Sequence, residues 1–235
     1  SKTINDSVNF DNYNVYAYGK LKYKPGALTN AVLIAKGSLF KDLDRSRTFR
    51  YLNELNTFKY PNIEYLENKR NSTLTANIYL IPKKKYGIGF DVNVSQSNIQ
   101  KVGLSFSSGV VIRNVFNGAE TLQLSLLGAV GASKDGAKSG AKFFDINEVG
   151  ADVKLNIPRL FLPFKTKKII PKYMSPSSRI STGFTGQTNI GLDKQTFNGV
   201  LGYKWFASKK VTNTLDLINF QFVRNLNPEN YFSVY

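Results

Sequence analysis

Residues Tyr86 to Ser95 read Tyr-Gly-Ile-Gly-Phe-Asp-Val-Asn-Val-Ser, and their alternation decides the fold of the larger part of the chain. Tyr86, Ile88, Phe90, Val92 and Val94 share one face of an extended strand, while Gly87, Gly89, Asp91 and Asn93 share the other. A period of two marks a strand with one apolar face. The pattern recurs downstream. Val102, Leu104, Phe106, Val110 and Ile112 stand against Gly103, Ser105, Ser107, Gly109 and Arg113. A third run sets Leu122, Leu124, Leu126 and Val130 against Gln123 and Ser125; a fourth sets Val149, Ala151, Val153, Leu155 and Ile157 against Asp152, Lys154 and Asn156. The fifth, from Arg179 to about Gln187, is weaker. The sixth has Phe197, Leu201, Tyr203 and Trp205 against Asn198, Gly202 and Lys204, and the seventh places Ile218, Phe220 and Phe222 against Asn219, Gln221 and Arg224. Tyr231 to Tyr235 begins an eighth.

A soluble β-sandwich also alternates in this way. Three details favour a membrane barrel. Many of the runs reach the roughly 9–11 residues that a tilted membrane strand requires. The polar face is rich in Gly, Ser, Asn and Gln rather than the Lys/Glu mixture of a solvated sheet, which suits a wet lumen. Aromatic residues gather near strand ends, at Tyr86, Phe116, Phe143-Phe144, Phe161, Phe164, Tyr173, Trp205-Phe206 and Tyr231-Phe232. Rings favour the boundary between lipid and water, where one side can stay dry.

Upstream of Lys85 the periodicity differs. Val15 to Tyr23 reads as a strand, Pro25-Gly26 opens a short helical segment over Ala27 to Ile34, and Gly37 breaks it. A clearer helix begins at Asp42 or Asp44, with Asp44 as its candidate N-cap, and ends near Asn56. Strands follow over Asn62 to Leu66 and Thr73 to Ile81, joined by the polar turn Glu67 to Asn71. The expected order is strand, helix, helix, strand, strand, an α+β unit over residues 1–85, with membrane strands over 86–235 and the joint near Lys83 to Tyr86.

Composition narrows the chemistry. The 235 residues contain no Cys and no His, so disulfides, thiolate sites, the usual zinc and copper centres and the Ser-His and Cys-His pairs are excluded. Glu120, Asp145, Glu148 and Asp152 form no catalytic pattern, and no enzymatic role or cofactor is expected. The formal charge is +16, which suits an anionic membrane surface or nucleic acid. A nucleic-acid binder would interleave cations with aromatics on one face; here the aromatic face is largely uncharged, so no nucleic-acid partner is expected. Short basic clusters, Lys83-Lys84-Lys85, Lys165-Lys167-Lys168 and Lys209-Lys210, close apolar segments. No run approaches the ~20 apolar residues of a membrane helix. The chain opens at Ser1 with no visible signal peptide, as expected of a mature protein or an excised piece of one.

The first half resembles a POTRA domain, the periplasmic module preceding the barrel in the BamA/TamA superfamily (the bacterial surface antigen family). The matching residues are Lys24-Pro25-Gly26-Ala27-Leu28, Lys36 to Phe40, and Arg47-Thr48 through Leu52 to Lys59, with Asn56 where the family often has Gly; Asn tolerates the left-handed conformation of such a helix end. Arg113 to Glu120 resembles the turn between the second and third barrel strands, and Pro158 to Phe164 the turn after the fourth. From the residues alone, Gly118 would permit a tight backbone, Pro158 and Pro163 would end pairing, and Glu120 could pair with Arg113 across the turn.

The resemblance implies an α+β POTRA module followed by antiparallel transmembrane β-barrel strands, about half of a larger barrel. It places the protein in the outer membrane of a Gram-negative-type cell, with the N-terminal domain in the periplasm. The family barrel has about sixteen strands; about eight fit here, so the remainder is expected from further chain or a second chain, because lipid does not tolerate open sheet edges. The implied function is assembly or translocation of outer-membrane proteins, the alternative being a passive channel or structural barrel. The implied partners are outer-membrane lipids, unfolded client proteins and accessory periplasmic or lipoprotein subunits. The implied client-binding seam is the strand carrying Tyr86, Gly87, Gly89, Phe90 and Val92. A second docking edge is implied at Thr73, Thr75, Asn77 and Tyr79, and a periplasmic turn at Arg113, Asn114, Phe116, Gly118 and Glu120.

Overall fold

Two small hairpins and two helices precede a seven-stranded antiparallel sheet. The computed structural model describes residues 3–96, 100–133, 144–162, 170–189, 192–208 and 210–226. Phe143, Phe164, Pro163, Lys165, Lys167, Lys168, Lys209 and the eighth run at Tyr231–Tyr235 lie outside the described residues.

The N-terminal region opens with β1 (Asp6–Phe10) and β2 (Tyr13–Ala17), paired antiparallel. Asp11 and Asn12 both take positive φ, 46° and 66°, the conformation that a two-residue hairpin turn demands and that Asp and Asn adopt most readily. The strand expected over Val15 to Tyr23 therefore stops at Ala17, and Gly19 at φ 89° turns the chain away. It pairs with β1 and does not join β3 (Phe58–Asn68) and β4 (Thr73–Pro82), which form their own two-stranded sheet. Among the described residues the strands of the N-terminal region thus fall into two separate two-stranded sheets.

Helix α1 is shorter than expected, Pro25–Thr29, and α2 spans Asp42–Glu54. Asp44 lies within the first turn of α2, not at its cap; the N-cap is Lys41, with no side-chain bond. Asp42 and Asp44 instead complement the positive end of the helix. Thr48, Tyr51, Leu52 and Leu55, spaced three to four apart, make its buried stripe. Leu55 caps the helix and Asn56, the residue after it, takes φ 53°, the left-handed conformation expected of Asn at this place. Tyr51, Leu52, Leu55, Phe58, Ala31 and Ala119 form one core cluster. Leu52 is fully buried, so Leu52→Ala should cost about 2–5 kcal/mol, measured as a lowered unfolding free energy of this region in denaturant by hydrogen exchange.

The sheet runs β5 (Tyr86–Ser95), β6 (Gln100–Arg113), β7 (Thr121–Ser133), β8 (Ile146–Ile157), β9 (Ser177–Asn189), β10 (Leu192–Phe206) and β11 (Thr212–Asn225), each paired only with its sequence neighbours. Among the described residues the sheet is open, with β5 and β11 at its edges. Register aligns the apolar faces across all seven strands: Ile88, Val110, Leu124, Val153, Thr182, Gly199 and Phe220 stand in one row. Gly199 is needed there, since a Cβ would run into the Phe220 ring. One residue was assigned to the wrong face. Arg224 pairs with Gln195 on the side of Phe222, at the far border of the apolar belt. The bulge opposite Leu201 and Gly202 lies at Leu217 of β11, before Ile218, and leaves the alternation from Ile218 to Arg224 intact.

Candidate functional site

The sheet has two unlike faces and a free edge. On the apolar face Ile88, Phe90, Val92 and Val94 are 65–76% exposed, and Phe90 stacks against Phe106 with centroids 6.2 Å apart. Exposed apolar surface continuing over seven strands exceeds what a protein leaves to water without purpose. The belt also slants. Phe90, the middle of the apolar run in β5, is linked through the register to Phe197, whereas the apolar run of β10 centres on Leu201, four residues nearer the Tyr86 end. At about 3.3 Å per residue and 4.8 Å per strand, this corresponds to strands tilted roughly 30° from the belt normal.

The other face is small and polar. Gly183 leaves room for Asp152 and Asn198, which a Cβ would displace. Arg179 pairs with Asp216 at 3.2 Å across β10. Gly87 lies under the Arg113 guanidinium, whose Nη1 donates to the Lys84 carbonyl at 3.0 Å, so this glycine makes room for a side chain. Gly89 has open space above it. The outer edge of β5, with Tyr86, Gly87, Gly89, Phe90 and Val92, has no strand partner among the described residues, leaving its outward backbone groups unpaired.

At one end of the sheet the N-terminal region is joined to the strands through the turn over residues 114–120. Asn114, Asn117 and Ala119 carry the positive φ angles of this turn, at 57°, 62° and 63°. Gly118 does not; it provides space, since a Cβ there would overlap the Glu120 carboxylate and Arg159. The Asn114 amide donates to the Lys22 carbonyl at 2.8 Å, and the Lys24 N–H donates to the Asn117 carbonyl at 2.6 Å. Ala119, 1% exposed, inserts into the α2 core cluster. Phe116 stays outside at 57%.

Glu120 is buried and takes Arg159 as its partner, with Nη2 to Oε1 at 2.9 Å, not Arg113 as the sequence reading allowed. It also accepts the Gly118 N–H at 2.8 Å. Burial alone would raise its pKa; its own backbone N–H, Arg159 and the Gly118 N–H outweigh that and hold it below the usual carboxylate range. Arg159 belongs to the segment after β8, where the Tyr51 hydroxyl donates to the Pro158 carbonyl at 3.3 Å and Ser178 and Tyr203 are covered. Lys172 closes a third link, donating to the Val32 carbonyl at 2.8 Å. Sequence reading missed Arg159, Ala119 and Tyr51. Hairpin alternation puts the 114–120 and 158–162 segments at the same end, flanking β7 and β8, and was the available signal for the first.

Thr73, Thr75, Asn77 and Tyr79 lie along β4 opposite Asn68, Leu66, Glu64 and Asn62; Thr73, Thr75 and Tyr79 are exposed and Asn77 is half-buried. Although β4 ends only a few residues before β5, the two strands belong to different sheets. Among the described residues no group of acidic side chains is placed to hold a metal ion, and no helix is long and apolar enough to cross a membrane.

No protein-family model matches the chain, and no curated protein matches it. Among solved structures, BamA from Haemophilus ducreyi lacking POTRA domains 1–3 is similar over 86% of this chain, with 11% identity and a TM-score of 0.48. The chain spans 40% of that structure's length.

Proposed function

We propose that this chain is the membrane-entering part of an outer-membrane β-barrel protein that inserts or exports client β-barrel proteins, and that it does so without catalysing a chemical step. The observation that carries this reading is the two-faced sheet: a slanting apolar belt on one side, and small polar residues on the other. Lipid would cover the belt and water the polar face. The residues before Tyr86 would then sit on the periplasmic side. An open edge at β5 can accept an incoming strand through main-chain hydrogen bonds, an affinity that does not depend on client sequence. Gly87 and Gly89 keep that strand weak in side-chain packing. Outer-membrane lipids, unfolded clients and accessory periplasmic subunits are the partners this reading requires; nucleic acid is not among them.

Extraction tests the membrane half of the proposal: the protein should partition with membranes and need detergent to stay dispersed, and a detergent-free monomer would sink it. The seam is tested by a Gly89→Cys disulfide to the final strand of the whole barrel. Client assembly should fall at least tenfold with the disulfide closed and recover on reduction. A passive channel would instead keep its conductance and show no client assembly in either state.

A further inference from the structure

The two ends of the strands differ in charge. At the end joined to the N-terminal region stand Lys83, Lys84, Lys85 and Arg113, then Arg159, Lys172, Arg179, Lys204 and Lys210, against two acids among the described strand-end residues, Glu120 paired with Arg159 and Asp216 paired with Arg179. At the opposite end the described residues balance: Lys101, Lys194 and Arg224 against Asp145, Glu148 and Asp193. The basic end is also where the outer face carries its boundary aromatics. Lys85 Nζ lies 5.8 Å from the Tyr86 ring centroid. Half-buried Trp205 precedes the hairpin turn holding Lys210. Exposed lysines beside rings at the border of an apolar belt match the depth of lipid phosphates.

Resting on the membrane reading above, we infer that this end forms a cationic collar that binds the phosphate headgroups of anionic phospholipids in the adjoining leaflet, with Lys84, Lys85 and Lys210 as the outward contacts. Summed cationic charge within a Debye length of about 8 Å attracts such headgroups and is screened by salt. The collar would fix the vertical position of the belt and hold the open β5 edge at a set depth, because Lys84 and Lys85 immediately precede Tyr86.

Trp205, the single tryptophan of this chain, is the reporter, read in the whole barrel with any tryptophan outside this chain replaced by phenylalanine. The protein is reconstituted in phosphatidylcholine vesicles containing one-fifth of either brominated phosphatidylglycerol or brominated phosphatidylcholine. The expected result is two- to fivefold stronger relative quenching by the anionic lipid, lost in 0.5 M salt and in the triple variant Lys84→Gln, Lys85→Gln, Lys210→Gln with unchanged strand content. Equal quenching by both lipids overturns the collar while leaving the membrane reading intact, and is also the outcome if the charge serves an acidic protein partner. No quenching by either lipid overturns the membrane reading and the collar together.

Discussion

Arg159→Ala should be the most damaging single truncation at the junction, costing about 3–5 kcal/mol because it strands a buried carboxylate. Glu120 is 1% exposed, whereas the Arg159 side chain is 45% exposed. The two partners are therefore unequal. Glu120→Gln leaves the Gly118 N–H satisfied by the amide oxygen and Arg159 with water, and should cost only about 1–2 kcal/mol. Adding Glu120→Gln to Arg159→Ala should recover much of the loss, since the stranded charge is gone. Hydrogen exchange of the Leu52 and Ala119 amides would read the coupling. Equal costs for the two single variants would show that the pair is not buried in the working protein. The pH response follows the same chemistry. A carboxylate whose folded pKa is depressed contributes stability that is fully present above its ordinary value near 4.5 and is lost as pH falls through the folded value. Acidification below that point should loosen the junction, and Glu120→Gln should remove this pH dependence.

The second large effect is expected at Leu126, midway along β7 and 60% exposed on the apolar face. If lipid covers that face, Leu126→Arg should cost about 2–4 kcal/mol of folding into a bilayer, and the same change near the end of the strand, at Leu122, about 0–1 kcal/mol. Ser125→Arg, one residue away on the polar face beside Asp152, should be nearly neutral. Depth dependence is the discriminating readout in urea titrations of vesicle-bound protein. A second protein layer over the belt would make Leu122→Arg and Leu126→Arg comparably severe, and that result would end the membrane reading.

Local signals carried most of the strand architecture. Alternation located seven strands of the sheet, and from Tyr86–Ser95 onward the side-chain period left little freedom of face, because a slip of one residue exposes the wrong set. Arg224 stands two residues after Phe222 with unbroken pairing between them, so it keeps the apolar-face parity of its strand, and only its charge suggested the polar face. The Asn56 helix end was legible because few residues accept φ 53°. The β1–β2 hairpin was not read, although Asp11-Asn12 is the kind of pair that makes one.

What the sequence by itself determined is the division between alternating strands and a mixed helix-and-strand N-terminal region, the two-sided chemistry of the sheet, and the absence of His and Cys chemistry. These depend on near neighbours along the chain, where periodicity and composition act directly. What only the tertiary structure decided is who meets whom across long separations. Glu120 chose Arg159 over Arg113, Ala119 entered the α2 core, and Gly118 proved to be space and not conformation. Such choices turn on which surfaces the register brings within a few ångströms, and a buried charge or a missing Cβ is settled by that proximity.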